Sequence, residues 1–379
     1  MAAKEIAVVC GPGGVGKTTV AAAAAAMAAW HQGGRVLALT VDPARRLADA
    51  LGLSPSGDMP EQVPKSAFRA AGAVPQGELW AAMVDTKKSW DRLVTRHAPD
   101  RATARRILTN PLYQDIAGRF VQSHDYIAIE RLYELHSEGT YDLIVVDTPP
   151  SRNAIDFLLA PERMAEFFAS RLLRFLTVPY RSRLVDVASR PFYYVADKIL
   201  GSQFLQDIAE FFILFQTMSE GFVERAQEVE RLLADRRTTF VVVSTLEAGP
   251  VREAETFMSL LPAQGLHVGA LVLNRVLPAY LLADGLKERA EDLCDQANEL
   301  AGRLCATGGA LQEREPAQVS RVLREIGTNF NNLGVVARRE ASQRSDLGRS
   351  PGLAVSVPEL EGDVHDLASV LELGRHIWS

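Results

Sequence analysis

The sequence is poor in cysteine: only Cys10, Cys294 and Cys305 occur in 379 residues, and none stands in a C-x-x-C pair. Neither a disulfide framework nor a cysteine zinc site is expected, and a reducing compartment is the simplest setting. No apolar run approaches the roughly 18 residues a membrane helix requires, so no transmembrane segment is expected. The opening MAAKEIAVV lacks the charged stretch, apolar core and cleavage site of a secretory leader, which points to a cytoplasmic protein. Seven histidines are scattered without H-E-x-x-H spacing and suggest no metal site. A basic surplus is missing too: 41 Lys and Arg against 47 Asp and Glu leave a net charge of −6. No nucleic-acid partner is therefore expected, and binding to anionic lipid would need a local patch. No segment repeats at a solenoid period.

What is present is the rhythm of an α/β chain. Buried-type strands read at Ile6–Cys10, Val36–Val41, Leu79–Val84, Leu143–Val146, Phe240–Thr245, Val268–Leu273 and Leu353–Val357, separated by helical stretches. The expected fold is a doubly wound, mostly parallel sheet of about seven to eight strands with an inserted helical subdomain. The strand rhythm lapses twice, dividing the chain into core (1–86), helical insert (87–139), core (140–160), helical insert (161–237) and core (238–379). The last part contains a helical stretch at 279–344, and the polar run ASQRSDLGRSPG at its end reads as a mobile loop. In the second insert, Phe204, Ile208, Phe211, Phe215, Met218, Phe222, Ala226, Val229 and Leu233 alternate spacings of four and three, one face of a single long helix. That face reads either as the insert's own core or as a client surface. Residues 165–200 mix aromatics with Arg171, Arg174, Arg181, Arg183 and Arg190, which reads as internal packing or as a partner or membrane surface.

One motif carries chemistry. Gly11, Gly16, Lys17 and Thr18 satisfy G-x-x-x-x-G-K-[ST] between a buried strand and an alanine-rich helix, the setting of a phosphate loop. Glycines bend the backbone so that successive N–H groups face a β-phosphate, and the helix N-terminus adds its field. The nucleotide contacts expected here are Gly13, Gly14, Val15, Gly16, Lys17, Thr18 and Thr19. Lys17 would reach the β- and γ-phosphates and Thr18 would hold Mg²⁺. Asp147 closes the strand YDLIVVD and reads as a second Mg²⁺ group, partly through water; no glutamate follows it, so the base must come from elsewhere. Asp42, at the end of another strand and fixed by Pro43, is the candidate to orient the attacking water and to join the Mg²⁺ shell, partly through water. Asn274 closes a later strand and could pair with a purine edge. It is followed by Arg275, Val276 and Leu277 rather than an aspartate able to accept from guanine, so adenine is favoured.

The segments GPGGVGKTT (11–19), TVDPARRLADALG (40–52), YDLIVVDTPPSRNAIDFLLAPE (141–162), FVVVSTLEAGPVREAETF (240–257), LVLNRVLP (271–278) and VPELEGDVHDL (357–367) resemble, in order, the motifs of ArsA-type ATPases. That family includes the arsenite-pump ATPase and the ATPase that targets tail-anchored membrane proteins. The resemblance implies a P-loop NTPase fold, ATP and Mg²⁺ as ligands, and a homodimer or a dimer with a paralogous chain in which two nucleotides face each other. It implies that Asp42 lies in the first switch and Asp147 in the second, and that Asn274, Arg275 and the loop around Pro358 bracket the adenine. The chain departs from the family in carrying Pro12 where a lysine that crosses the dimer is typical, Arg45 in the first switch, and Arg152 and Asn153 in the second. The zinc cysteine pair is missing. Arg45 or Arg152 is the expected substitute for the absent lysine. The function so read is a dimeric, ATP-hydrolysing switch, slow without that lysine, that couples nucleotide state to a hydrophobic protein or membrane-associated client. Alternatives are a partition- or septum-site-like positioning ATPase, which the acidic last helix at Val364–Trp378 disfavours, and a small-molecule kinase.

Overall fold

Five consecutive apolar residues, Ile6–Cys10, form the central strand of a sheet buried on both faces. The computed structural model describes residues 4–41, 46–53, 59–116, 123–148, 210–307, 311, 314–347 and 353–378. The elements run β1 (Ile6–Cys10), α1 (Lys17–His31), β2 (Arg35–Thr40), α2 (Arg46–Ala50), β3 (Glu61–Gln62), α3 (Lys65–Ala70), β4 (Glu78–Met83), α4 (Thr86–His97), α5 (Arg101–Thr109), α6 (Pro111–Ile116), α7 (Ser123–Ser137) and β5 (Leu143–Asp147). They continue with α8 (Ser219–Ala234), β6 (Thr238–Ser244), α9 (Ala248–Ala263), β7 (Val268–Val276), a 3-10 turn (Ala279–Leu282), α10 (Leu286–Asp295), α11 (Ala297–Ala306), α12 (Pro316–Leu347), β8 (Ala354–Pro358) and α13 (Leu367–Trp378).

The eight strands lie in the order β3-β4-β2-β5-β1-β6-β7-β8, and every pairing is parallel except β3 with β4. The α/β doubly wound expectation therefore holds. β1 lies between β5 and β6, so the loop that follows it opens at the carboxyl edge of the sheet, where α/β proteins bind ligands. Strand alternation divides the core. Ile6, Val8 and Cys10 face a layer containing Trp90, Tyr126 and Phe215, while Ala7 and Val9 face α1. Alanine dominates α1 because the helix is wedged between the sheet and α13; Ala21 to Ala29 are essentially inaccessible to solvent. At that second contact a Cβ on Gly374 would come within 2.4 Å of Met27.

Three expectations change. The stripe from Phe204 to Leu233 is not one uninterrupted helix: a turn at Thr217 and Met218 separates helical residues 210–216 from α8. The Thr217 N–H and hydroxyl both donate to the Leu214 carbonyl, at 3.1 and 2.5 Å, closing the turn. Residues 341–347, read as part of a mobile loop, belong to α12. An antiparallel two-residue strand, β3, adds an edge that the sequence did not announce. Phe204, Ile208 and the arginine-rich run 165–200 lie outside the described residues.

Candidate nucleotide site

The loop between β1 and α1 is shaped by glycine where nothing else fits. Gly11 has φ +146°, and a Cβ there would come within 2.1 Å of the Val243 carbonyl oxygen. Gly16 has φ +93°, and its Cβ would come within 2.3 Å of Asn274 Nδ2. Both positions combine a left-handed backbone with close approach, so any side chain is refused twice. Asn274 explains the second approach: its buried Nδ2 donates to the Val15 carbonyl at 2.8 Å, tying the end of β7 to the loop.

Lys17 is the first residue of α1 and only 6% exposed. Its ammonium donates to the Pro12 carbonyl at 2.8 Å. Thr18 and Thr19 are half-buried beside it, and the Thr19 hydroxyl donates to the Gly16 carbonyl at 2.7 Å. Asp147 ends β5 in register with Val9 and Thr40, fully buried, and accepts from the Thr40 hydroxyl at 3.0 Å. The next residue, Thr148, is anchored by its hydroxyl on the Val9 carbonyl at 2.9 Å. Burial pushes the Cys10 thiol up to about 12, only partly offset by Lys17, so it is an inert neighbour of the loop.

These residues open on a cavity of about 320 Å³ lined by Gly14, Gly16, Lys17, Thr18, Thr19 and Thr148 on the loop side. Arg46, Asp49 and Ala50 of α2, together with Arg275, Val364 and His365, complete the wall. Arg275 is the one non-glycine residue among those described with positive φ, at +57°. It sits where the pairing of β7 with β8 shifts register, and such strain gathers at functional positions. Pro358 pairs with Val276 at the end of β8, and Glu359 N donates to the Val276 carbonyl at 3.1 Å. The wall itself is supplied by Val364 and His365, a few residues further on. Sequence reasoning missed Arg46, Asp49, Ala50, Thr148, Val364 and His365, although all lie within or beside the motif segments TVDPARRLADALG, YDLIVVDT and VPELEGDVHDL. Asp42, Arg45 and Arg152 lie outside the described residues.

The donor set fits a nucleotide polyphosphate with a hard divalent cation. A glycine-shaped cradle at a helix N-terminus, a buried lysine, a threonine hydroxyl and a carboxylate at the tip of the adjacent strand supply what phosphate and Mg²⁺ require. Fold and site together define a P-loop nucleotide-binding protein. More narrowly, the chain belongs to the anion-transporting ATPase family, which it matches over residues 4–293. It is 33% identical over 280 residues to an uncharacterised protein of Streptomyces coelicolor, covering 73% of this chain and 63% of the relative. The chain thus spans less than two thirds of that relative's length. It is 27% identical over 384 aligned positions to the ATPase BagA of Mycobacterium tuberculosis, covering 97% of this chain and 91% of that protein.

Proposed function

We propose that this chain is a Mg²⁺-dependent ATPase that works as a dimeric switch. The observation that carries the reading is the loop, where Gly11 and Gly16 hold a backbone no other residue permits and Lys17 is buried at its mouth. In this reading the loop N–H groups from Gly13 to Thr19 receive the β-phosphate and Lys17 neutralises charge on the β- and γ-phosphates. Thr18 and Asp147 hold the cation, with Asp42 joining them and orienting the attacking water. When bound, Mg²⁺ would supply neutralisation of the charge that develops on the phosphates. Water adds to the γ-phosphorus as its bond to the β–γ bridging oxygen breaks, giving ADP and phosphate. Asn274 and Arg275 face the adenine, with the chain after Pro358 closing over it.

The dimer, of two identical chains or with a paralogue, and the hydrophobic protein or membrane-associated client rest on the family resemblance rather than on the geometry. The described part of the helical stripe bears on the client. Phe211, Phe215, Met218, Ala226, Val229 and Leu233 are all buried, with Phe215 against Trp90 at 6.0 Å between ring centroids. A client held by this face would require the layer to open, which is the role proposed for ATP-driven closure of the dimer. Phosphate release from Mg²⁺-ATP by the full chain tests the reading. Lys17→Ala is expected to lower kcat at least about 100-fold. Unchanged turnover in that variant, or no Mg²⁺-dependent release by the parent protein, sinks the assignment as an ATPase.

A further inference from the structure

A long-range tie reaches the nucleotide cavity from an element that does not line it. Arg275, on the cavity wall, holds φ at +57°, a conformation that a non-glycine residue keeps where its surroundings impose it. Before it, the buried Asn274 amide is fixed to the Val15 carbonyl at 2.8 Å. After it, the Val276 carbonyl accepts from Glu359 N at 3.1 Å, with Val276 in register with Pro358 of β8. Leu277 has left the ladder, since β7 ends at Val276, and its N–H donates to Glu340 Oε2 at 3.1 Å across 63 positions of sequence. The first two ties come from strand ends and loops around the cavity. The third comes from α12, none of whose described residues lines the cavity and which begins beyond the family-matching residues 4–293.

Packing of α12 puts Glu340 where it is. A Cβ on Gly327 would come within 2.6 Å of both the Ala290 carbonyl oxygen and Cys294 Sγ, and one on Gly334 within 3.8 Å of the Leu281 carbonyl oxygen. The helix therefore lies close against α10 and the 3-10 turn, and Glu340 stands half-buried about two turns before its end at Leu347. The setting works against a carboxylate: burial raises its pKa, the Leu277 N–H lowers it, and Glu359 and Glu247 raise it. Of these influences the Leu277 N–H is the one that favours the charged form. We infer that Glu340 is a positioning residue for base recognition: through the backbone at Leu277 it fixes the strained turn that sets Arg275 in the cavity wall. The inference rests on the reading of this cavity as an adenine-nucleotide site. Without the acceptor, the Leu277 N–H is left unpaired and Arg275 is free to relax toward negative φ, which carries its guanidinium off the wall.

The test compares Glu340→Gln, which keeps an acceptor, with Glu340→Leu, which keeps the bulk and has none. Each full chain is titrated calorimetrically with the β,γ-imido analogues of ATP and GTP in the presence of Mg²⁺, and circular dichroism checks the fold. The parent is expected to prefer the adenine analogue. Glu340→Leu should weaken that analogue at least about tenfold and the guanine analogue less than about threefold, so the preference collapses, while Glu340→Gln stays within about threefold of the parent for both. A general loss of packing would weaken both nucleotides together. Because Glu340 acts through Arg275, adding Glu340→Leu to Arg275→Gly should lower affinity no further: glycine needs no support at positive φ and carries no guanidinium. A preference that survives in Glu340→Leu, equal losses for the two analogues, or additive losses in the double variant overturns the role of Glu340 and leaves the nucleotide site standing. A parent that binds both analogues alike, or neither, overturns the adenine reading and this inference with it.

Discussion

Pro12 gives up a backbone donor but keeps an acceptor, and that acceptor is where Lys17 rests. The 2.8 Å bond holds the buried ammonium at the mouth of the cavity. Proline leaves the site without a cation at the second loop position. Arg46 is placed to add one, since it is exposed and lines the same cavity as Lys17 and Thr18. Together with Arg45 and Arg152 it forms the set of arginines to be compared. A cation on the developing γ-phosphate charge is worth several orders of magnitude, so at least one of Arg45→Ala, Arg46→Ala and Arg152→Ala is expected to lower kcat about tenfold or more. ATP affinity should change far less. Three variants that all turn over like the parent would mean that no arginine substitutes for the lysine. At this scale the loop was legible because its motif demands fixed residue types. Asn274 was legible as the polar end of a strand, but its bond to the Val15 carbonyl was not, because strand order decides that contact across 259 positions of sequence.

The helical layer over the sheet is held partly by charges that burial works against. Glu130 of α7 is 6% exposed and faces Arg225 of α8 at 3.2 Å and Arg96 of α4 at 3.9 Å, with Glu134 and Glu228 as like-charged neighbours. Burial outweighs the two arginines and pushes its carboxyl from 4.5 up to about 7. The unfolded chain ionises this group near 4.5 and the folded chain only near 7, so the stability held below 4.5 drains away as pH rises between those values. The loss is about 3 kcal/mol at 1.36 kcal/mol per unit. His97 works in the opposite direction. Burial, then Arg225 and Arg96, lowers its affinity for protons, so its contribution is present above 6.5 and is lost as pH falls below that. Glu130→Gln should therefore flatten the decline in thermal midpoint between pH 5 and 7.5, with Arg225 still held by Glu228 at 3.0 Å and by the Tyr133 ring. Parallel midpoint curves for parent and variant across that range would show that Glu130 ionises normally. The apolar spacing that revealed this layer also misread it as one helix. A two-residue turn at Thr217 and Met218 leaves Met218 buried and the periodicity nearly intact, so pattern alone could not see the break.

At the scale of the molecule, seven of the eight strands were readable because a parallel sheet covered on both faces is written in unbroken apolar runs. β3 was not, since Glu61 and Gln62 belong to the sheet only by pairing with Ala81 and Trp80. Topology then brings the candidate residues together: β1 lies in the centre, β5 on one side with Asp147, and β7 two strands away on the other with Asn274 and Arg275. That arrangement ties base choice to the global fold. Guanine needs a carboxylate to accept from its ring and amino N–H groups, and Asn274 is followed by Arg275, whose guanidinium accepts nothing. Because a ligand that binds only the folded state stabilises by mass action, Mg²⁺-ATP at 100 times its Kd should add about 2.7 kcal/mol, a rise of roughly 3 °C in Tm for a chain of this length. Mg²⁺-GTP at the same concentration should shift the midpoint less, by roughly 0.4 to 2 °C, since a lost buried hydrogen-bond partner costs about one to three kcal/mol. Equal shifts by differential scanning fluorimetry would remove Asn274 and Arg275 from base recognition while leaving the phosphate cradle untouched.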